Sequence, residues 1–147
     1  LIYGPWAEAY MPFGADHYVQ DERPPGNIFN VFEYGGYLGW ALYPNYKIFI
    51  DQRNLDYSVY EEYGRARNGI YQEIFNKYKI RTVVSYIAQP VLNKVPPIVE
   101  KMLYDKAWQV AYIDNVSIVF IQANAAAGFE VLNKKRVIDY INKLLTQ

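Results

Sequence analysis

The sequence predicts an α/β domain of three layers, with a mainly parallel sheet of about five strands and an antiparallel hairpin at one edge. Three observations carry that prediction. Short apolar runs at 28–32, 46–50 and 79–87 alternate with segments of helical spacing. Such runs read as strands covered on both faces. Two further runs, 108–113 and 116–121, are joined by Asp114-Asn115, a good two-residue hairpin turn. The predicted order is β-α-β-α-α-β-α-β-β-α.

Residues 1–25 show no clean periodicity, and Pro5, Pro12, Gly14, Pro24 and Pro25 punctuate them. They read as an irregular arm with a short helix over 16–20, anchored on the domain by Trp6, Tyr10, Met11 and Phe13. The α/β core spans 26–122. Its centre is 26–53: a strand at 28–32, a short helix over 37–42 opened by two glycines and ended by Pro44, and a strand at 46–50. About a dozen linking residues suffice for a parallel crossover. Ser58 and Glu61 have the spacing of a capping box, starting a helix over 59–67 that stops at Asn68-Gly69. Ile70, Ile74, Phe75 and Tyr78 mark a second helical piece. The β-branched run 79–87 is a strand, closed by Gln89-Pro90. Pro97 suits the first position of the next helix, with Ile98, Val99, Met102 and Leu103 as its inner stripe. Residues 123–147 are a small-residue linker and a helix from about 133, packed on the core or extending from it. That helix places Val137, Ile138, Ile141, Leu144 and Leu145 on one face and its lysines on the other.

Composition excludes several classes. Acidic and basic residues balance at 15 each, so nothing electrostatic favours nucleic acid or an anionic membrane surface. The absence of cysteine removes disulfides, thiol catalysis and zinc–thiolate sites. No apolar run approaches the ~18–20 residues that span a bilayer. The chain begins at Leu1 with no initiator Met or signal-peptide pattern, as a piece of something longer would. His17 is the single histidine and, with no second one at ligand spacing, reads as a surface residue.

Chemistry concentrates where the first two strands should end. Glu33 and Tyr34 follow one, Asp51 and Arg53 the other, and ligands in open α/β sheets sit at carboxyl ends. Tyr34-Gly35-Gly36-Tyr37-Leu38-Gly39, with Asp51 beyond, is reminiscent of a dinucleotide fingerprint, but Tyr34 stands where the first glycine is required and the helix is short. The alternative is packing: Gly35 and Gly36 permit a sharp turn, and Gly39 lets the helix lie close. Glu33 and Asp51 resemble the paired acids of an inverting glycosidase. Against that, Asp51 and Arg53 are placed to bridge each other or to hold loop backbone. No complete catalytic motif, metal site or cofactor site appears. The candidate binding residues are Glu33, Tyr34, Gly35, Gly36, Tyr37, Asp51, Arg53 and Tyr57.

The residues Gly26-Asn27-Ile28-Phe29-Asn30, Tyr34-Gly35-Gly36-Tyr37-Leu38, Leu42-Tyr43-Pro44 and Phe49-Ile50-Asp51-Gln52-Arg53, with Tyr57 beyond, form a pattern that resembles a known one. It is similar to the soluble domain that follows the transmembrane helices in bacterial multi-pass proteins of the GT-C, lipid-linked-sugar glycosyltransferase type. The departure is Gln52, where glycine is usual. Trp108, Tyr112, Asp114 and Phe120 resemble that family's later hairpin, so the likeness spans roughly 26–121. Phe32-Glu33-Tyr34-Gly35 is loosely similar to the acceptor-contacting W-W-D-Y-G turn of the oligosaccharyltransferase catalytic subunit.

The resemblance implies a non-catalytic accessory domain on the extracytoplasmic side of a bacterial membrane. Its partner would be the membrane-embedded part of the parent chain, which would hold the catalytic acids, with a glycan or acceptor peptide as a further contact and no nucleic acid. Helices of tetratricopeptide type follow some such domains, and the helix from 133 would begin such an extension. Two other readings stay open: a stand-alone enzyme domain binding a nucleotide or sugar-nucleotide, and a purely structural docking module.

Overall fold

A computed structural model describes residues 10–53, 56–89 and 92–147. Pro5, Trp6, Asn54, Leu55 and Pro90 lie outside them. Among the described residues four strands form one sheet: β1 (Asn27–Asn30), β2 (Ile80–Tyr86), β3 (Trp108–Ile113) and β4 (Ser117–Gln122). Their spatial order is β1-β2-β4-β3. β1 and β2 run parallel, while β2–β4 and β3–β4 are antiparallel. Six helices accompany them: α1 (Phe13–Glu22), α2 (Gly35–Ala41), α3 (Tyr57–Arg67), α4 (Gln72–Tyr78), α5 (Pro97–Tyr104) and α6 (Lys134–Leu145).

Alternation of side chains along the strands feeds two apolar clusters. Phe29, Val83, Phe120 and Val110 form a row across the sheet in register. They lie in a cluster with Ala66 of α3, Phe75 of α4, Met102 of α5 and Ile141 of α6. The opposite row holds Val84 and Val119, in a second cluster with Ala15 and Val19 of α1 and Leu38 of α2. Burying one such large side chain contributes about 1.5–3 kcal/mol, so both faces take part in holding the sheet.

The prediction of five mainly parallel strands is corrected to a four-stranded mixed sheet with one parallel pair. The difference lies in 46–50, which meets β1 only through a parallel bridge between Ile28 and Ile48. Beyond that bridge the side chain of Asn30 replaces the ladder. Its Oδ1 accepts from the Phe49 and Ile50 amides at 2.8 and 3.3 Å, and its Nδ2 donates to the Ile50 carbonyl at 2.8 Å. A carboxamide offers the same donor and acceptor as a peptide group, so the Phe49 and Ile50 amides and the Ile50 carbonyl are satisfied without forming a strand.

Other departures have local causes. β1 ends at Asn30, and Phe32–Tyr34 form a 3₁₀ turn running into α2. The cap of α3 is Asp56, which accepts from the Ser58 amide at 2.9 Å and from the Ser58 hydroxyl at 2.7 Å. Both residue types cap well, and the earlier one prevailed. α1 runs further than predicted because Ala15 and Val19 are fully buried against the sheet. α5 starts at Pro97 as predicted, and Asn133 caps α6 through the Arg136 amide at 3.1 Å.

Candidate functional site

The site residues come from the turn after β1 and from 50–53, which lie against each other, with Gln52 Nε2 donating to the Phe32 carbonyl at 3.4 Å. Gly35 has ordinary helical torsions, so it is not needed for the turn. It is needed for closeness: a Cβ there would collide with the Ile50 carbonyl oxygen and stand 2.6 Å from the Asp51 Cα. A Cβ on Gly36 would lie 3.1 Å from Gln52 Oε1. In a dinucleotide site glycines leave room for pyrophosphate. Here the protein's own chain lies against both.

Asp51 and Arg53 close on each other. Asp51 Oδ1 accepts from the Arg53 amide at 2.7 Å and Oδ2 from its guanidinium at 2.8 Å. The Arg53 hydrogen bond holds the Asp51 carboxyl below its usual value. The Arg53 side chain is 83% exposed and that of Asp51 16%, so solvent screens much of the attraction. With Ile48, Phe49 and Ile50 the pair borders an open groove of 480 Å³.

Tyr34 goes elsewhere. Only 3% exposed, it stacks edge-on against Tyr86 with ring centroids 5.9 Å apart. Its hydroxyl is buried with no hydrogen-bond partner among the described residues. Burial, with the charges of Asp114 and Glu33, drives its ionisation far upward, so the hydroxyl keeps its proton. Tyr34 lines a second hollow of 310 Å³ together with Tyr10, Tyr86, Gln89, Asn93 and Asn115.

Tyr37 faces a third direction. Its hydroxyl donates to Asp16 Oδ2 at 2.6 Å and its ring meets Phe13 edge-on at 5.3 Å, which ties α2 to α1. Glu33 is exposed on the 3₁₀ turn. Tyr57, at the start of α3, is 80% exposed. The predicted residues thus divide: Gly35, Gly36, Asp51 and Arg53 come together, while Tyr34 and Tyr37 are carried away from them.

Sequence reasoning missed two things. Asn30 was absorbed into an apolar strand, although an amide in such a run is itself a signal of a side chain doing backbone work. Tyr86, Gln89 and Asn115 carry no motif of their own, and they come beside Tyr34 because β1 has β2 as a laddered parallel neighbour on one side, in addition to the single parallel bridge to 46–50 on the other. Among the described residues no cluster of His, Cys, Asp or Glu could hold a metal ion, and His17 is exposed. Also among them, no helix is long and apolar enough to cross a membrane. Compared with known proteins, the chain matches no family model, no curated protein and no solved structure.

Proposed function

We propose that this chain is a non-catalytic, extracytoplasmic accessory domain of a membrane glycosyltransferase-like protein. It docks on the membrane-embedded part of its parent chain and contacts a glycan or acceptor peptide through the face around Glu33, Asp51, Arg53 and Tyr57. The observation that carries this reading is the exposure of large rings around the motif. Trp40, Tyr43 and Tyr57 are 67, 78 and 80% exposed. Large apolar surface left in solvent marks an interaction surface, and Trp and Tyr suit one that is partly wet. The motif's other residues serve shape: Gly35 seats the turn on Ile50, and Asn30 stitches 49–50 to β1. The reading includes a three-layer arrangement, supported by the apolar clusters that Val83 and Val84 feed from opposite faces.

The test is co-purification of this domain with the membrane-embedded part of the parent chain. Trp40→Ala and Tyr57→Ala should each weaken retention severalfold without lowering the melting temperature. A parent coding sequence with no apolar spans before Leu1, or retention indifferent to both substitutions, would overturn the reading. The same rings serve a purely structural docking module, and that reading prevails if docking is lost on substitution while no glycan or peptide perturbs the domain.

A further inference from the structure

The chain leaves two neighbouring parallel strands in opposite directions. From β1 it runs outward to 46–50 by way of α2, whose Leu38 lies in the cluster with Val84. From β2 it runs the other way, to the β3–β4 hairpin, by way of α5, whose Ile98, Val99 and Met102 lie in the cluster with Val83. Val83 and Val84 are consecutive and point to opposite faces. The helices that follow the two strands therefore cover opposite faces. In open α/β sheets such a divergence opens a crevice beyond the carboxyl ends of the strands.

The 310 Å³ hollow lies at that point. Tyr34 reaches it from the turn after β1, Tyr86 and Gln89 from the end of β2, and Asn115 from the hairpin, while Leu144 and Leu145 of α6 form an apolar wall. The polar lining among the described residues is uncharged. Gln89, Asn93 and Asn115 present carboxamides, each both donor and acceptor. Tyr34 is also in the lining; its hydroxyl is buried with no partner among the described residues, and such a group is costly to leave unmatched. Among the described residues no Lys, Arg, Asp or Glu lines the space. The charges acting on Tyr34 from nearby are the negative ones of Asp114 and Glu33, which disfavour an anion. The one cation shown touching the described lining is Arg67, which donates to the Tyr86 hydroxyl at 3.3 Å and is not itself among the lining residues. An extended peptide recognised by strand addition needs a strand edge, whereas this space is at strand ends. Its size is at the lower end of ligand pockets, about 300–1,000 Å³.

We infer that the crevice between the carboxyl ends of β1 and β2 binds a small uncharged ligand carrying several hydroxyls, of monosaccharide size, with the Tyr34 hydroxyl among its contacts. This goes beyond the accessory-domain reading, since it rests on topology and lining chemistry and needs no membrane partner. The experiment is an NMR titration of the ¹⁵N-labelled chain with glucose and N-acetylglucosamine, with glucose 6-phosphate and a short capped peptide as comparisons. The amides of Tyr34, Tyr86, Gln89 and Asn115 should shift with the neutral sugars, and the phosphate should bind more weakly. Tyr34→Phe, which removes only a hydroxyl with no partner among the described residues, should weaken binding about tenfold while the fold persists. Asn115→Ala should weaken it similarly. Shifts gathered on Asp51, Arg53 and Tyr57 would overturn this location while supporting the face named under the proposed function. Equal or tighter binding of the phosphate would overturn the ligand class. Shifts of the crevice residues by the peptide alone would overturn it in favour of a peptide site. Absence of shifts with every probe would overturn the site itself, leaving docking on the membrane part to be judged by co-purification.

Discussion

On one side of β1 the partner is β2, paired by backbone at Asn27, Ile28, Phe29 and Asn30. On the other side the partner is 46–50, held by one bridge and by the carboxamide of Asn30. Each side ends in a hollow of its own: the uncharged one lined by Tyr34 and Tyr86, and the open one bordered by Asp51 and Arg53. A backbone ladder tolerates most side chains, because the pairing groups belong to every residue. A seam stitched by one side chain concentrates the same pairing in a single position. The two sides of one strand should therefore respond to substitution very differently.

The largest effect should come from breaking the stitched side. Asn30→Ala removes four hydrogen bonds, one to the Val31 carbonyl and three across the seam, and leaves the amides of Phe49 and Ile50 and the Ile50 carbonyl without that partner. At about 1–3 kcal/mol per buried unmatched group, with partial relief by water, denaturant titration should show a loss of about 3–5 kcal/mol. Gly35→Ala forces the turn off Ile50 and Asp51, and overpacking of this kind costs about 1–3 kcal/mol. That loss should come with chemical-shift changes spreading along 48–53. On the ladder side, exposed Arg81 of β2 should be replaceable by Ala within about 0.5 kcal/mol.

Tyr34→Phe sharpens the contrast in the other direction. Removing a buried hydroxyl that has no partner among the described residues should leave stability unchanged or raise it by about 1 kcal/mol in the ligand-free protein. The pH dependence follows from the same group. The folded-state ionisation of Tyr34 and Tyr63 is raised by burial, so the folded protein holds these protons where the unfolded chain releases them. Stability is then fully present below pH about 10 and falls as pH rises above it. Tyr34→Phe should soften that alkaline loss. The smallest effect belongs to Arg53→Ala. The depressed ionisation of Asp51 means the pair's contribution exists above the unfolded carboxylate value, about pH 4, and fades as pH falls through it. For so exposed a pair the melting temperature at neutral pH should barely move, and only the acid limb should shift.

Much of this architecture is legible in the residues, for a physical reason. The hairpin at 108–121, the helix opening at Pro97 and the stripe of α6 announce themselves by period and by capping chemistry, which are local. The seam is not local. Asn30 in an otherwise apolar run looks like any strand residue until its partners, 19 and 20 positions on, are in place. The two glycines mark a special turn, but not that its cause is the approach of Ile50. The division of the candidate site follows from the same limit. Tyr34 and Asp51 both sit just after an apolar run, and their hollows separate because β1 has a parallel neighbour on each side, β2 beside Tyr34 and 46–50 beside Asp51.

Native-state hydrogen exchange measures the contrast between the two sides of β1 most directly. The amides of Phe49 and Ile50 should be protected, and should open in a local event at lower free energy than the amides of β2, which exchange through global unfolding. Free exchange at 49 and 50, or protection equal to that of β2, would contradict a seam held by the Asn30 side chain.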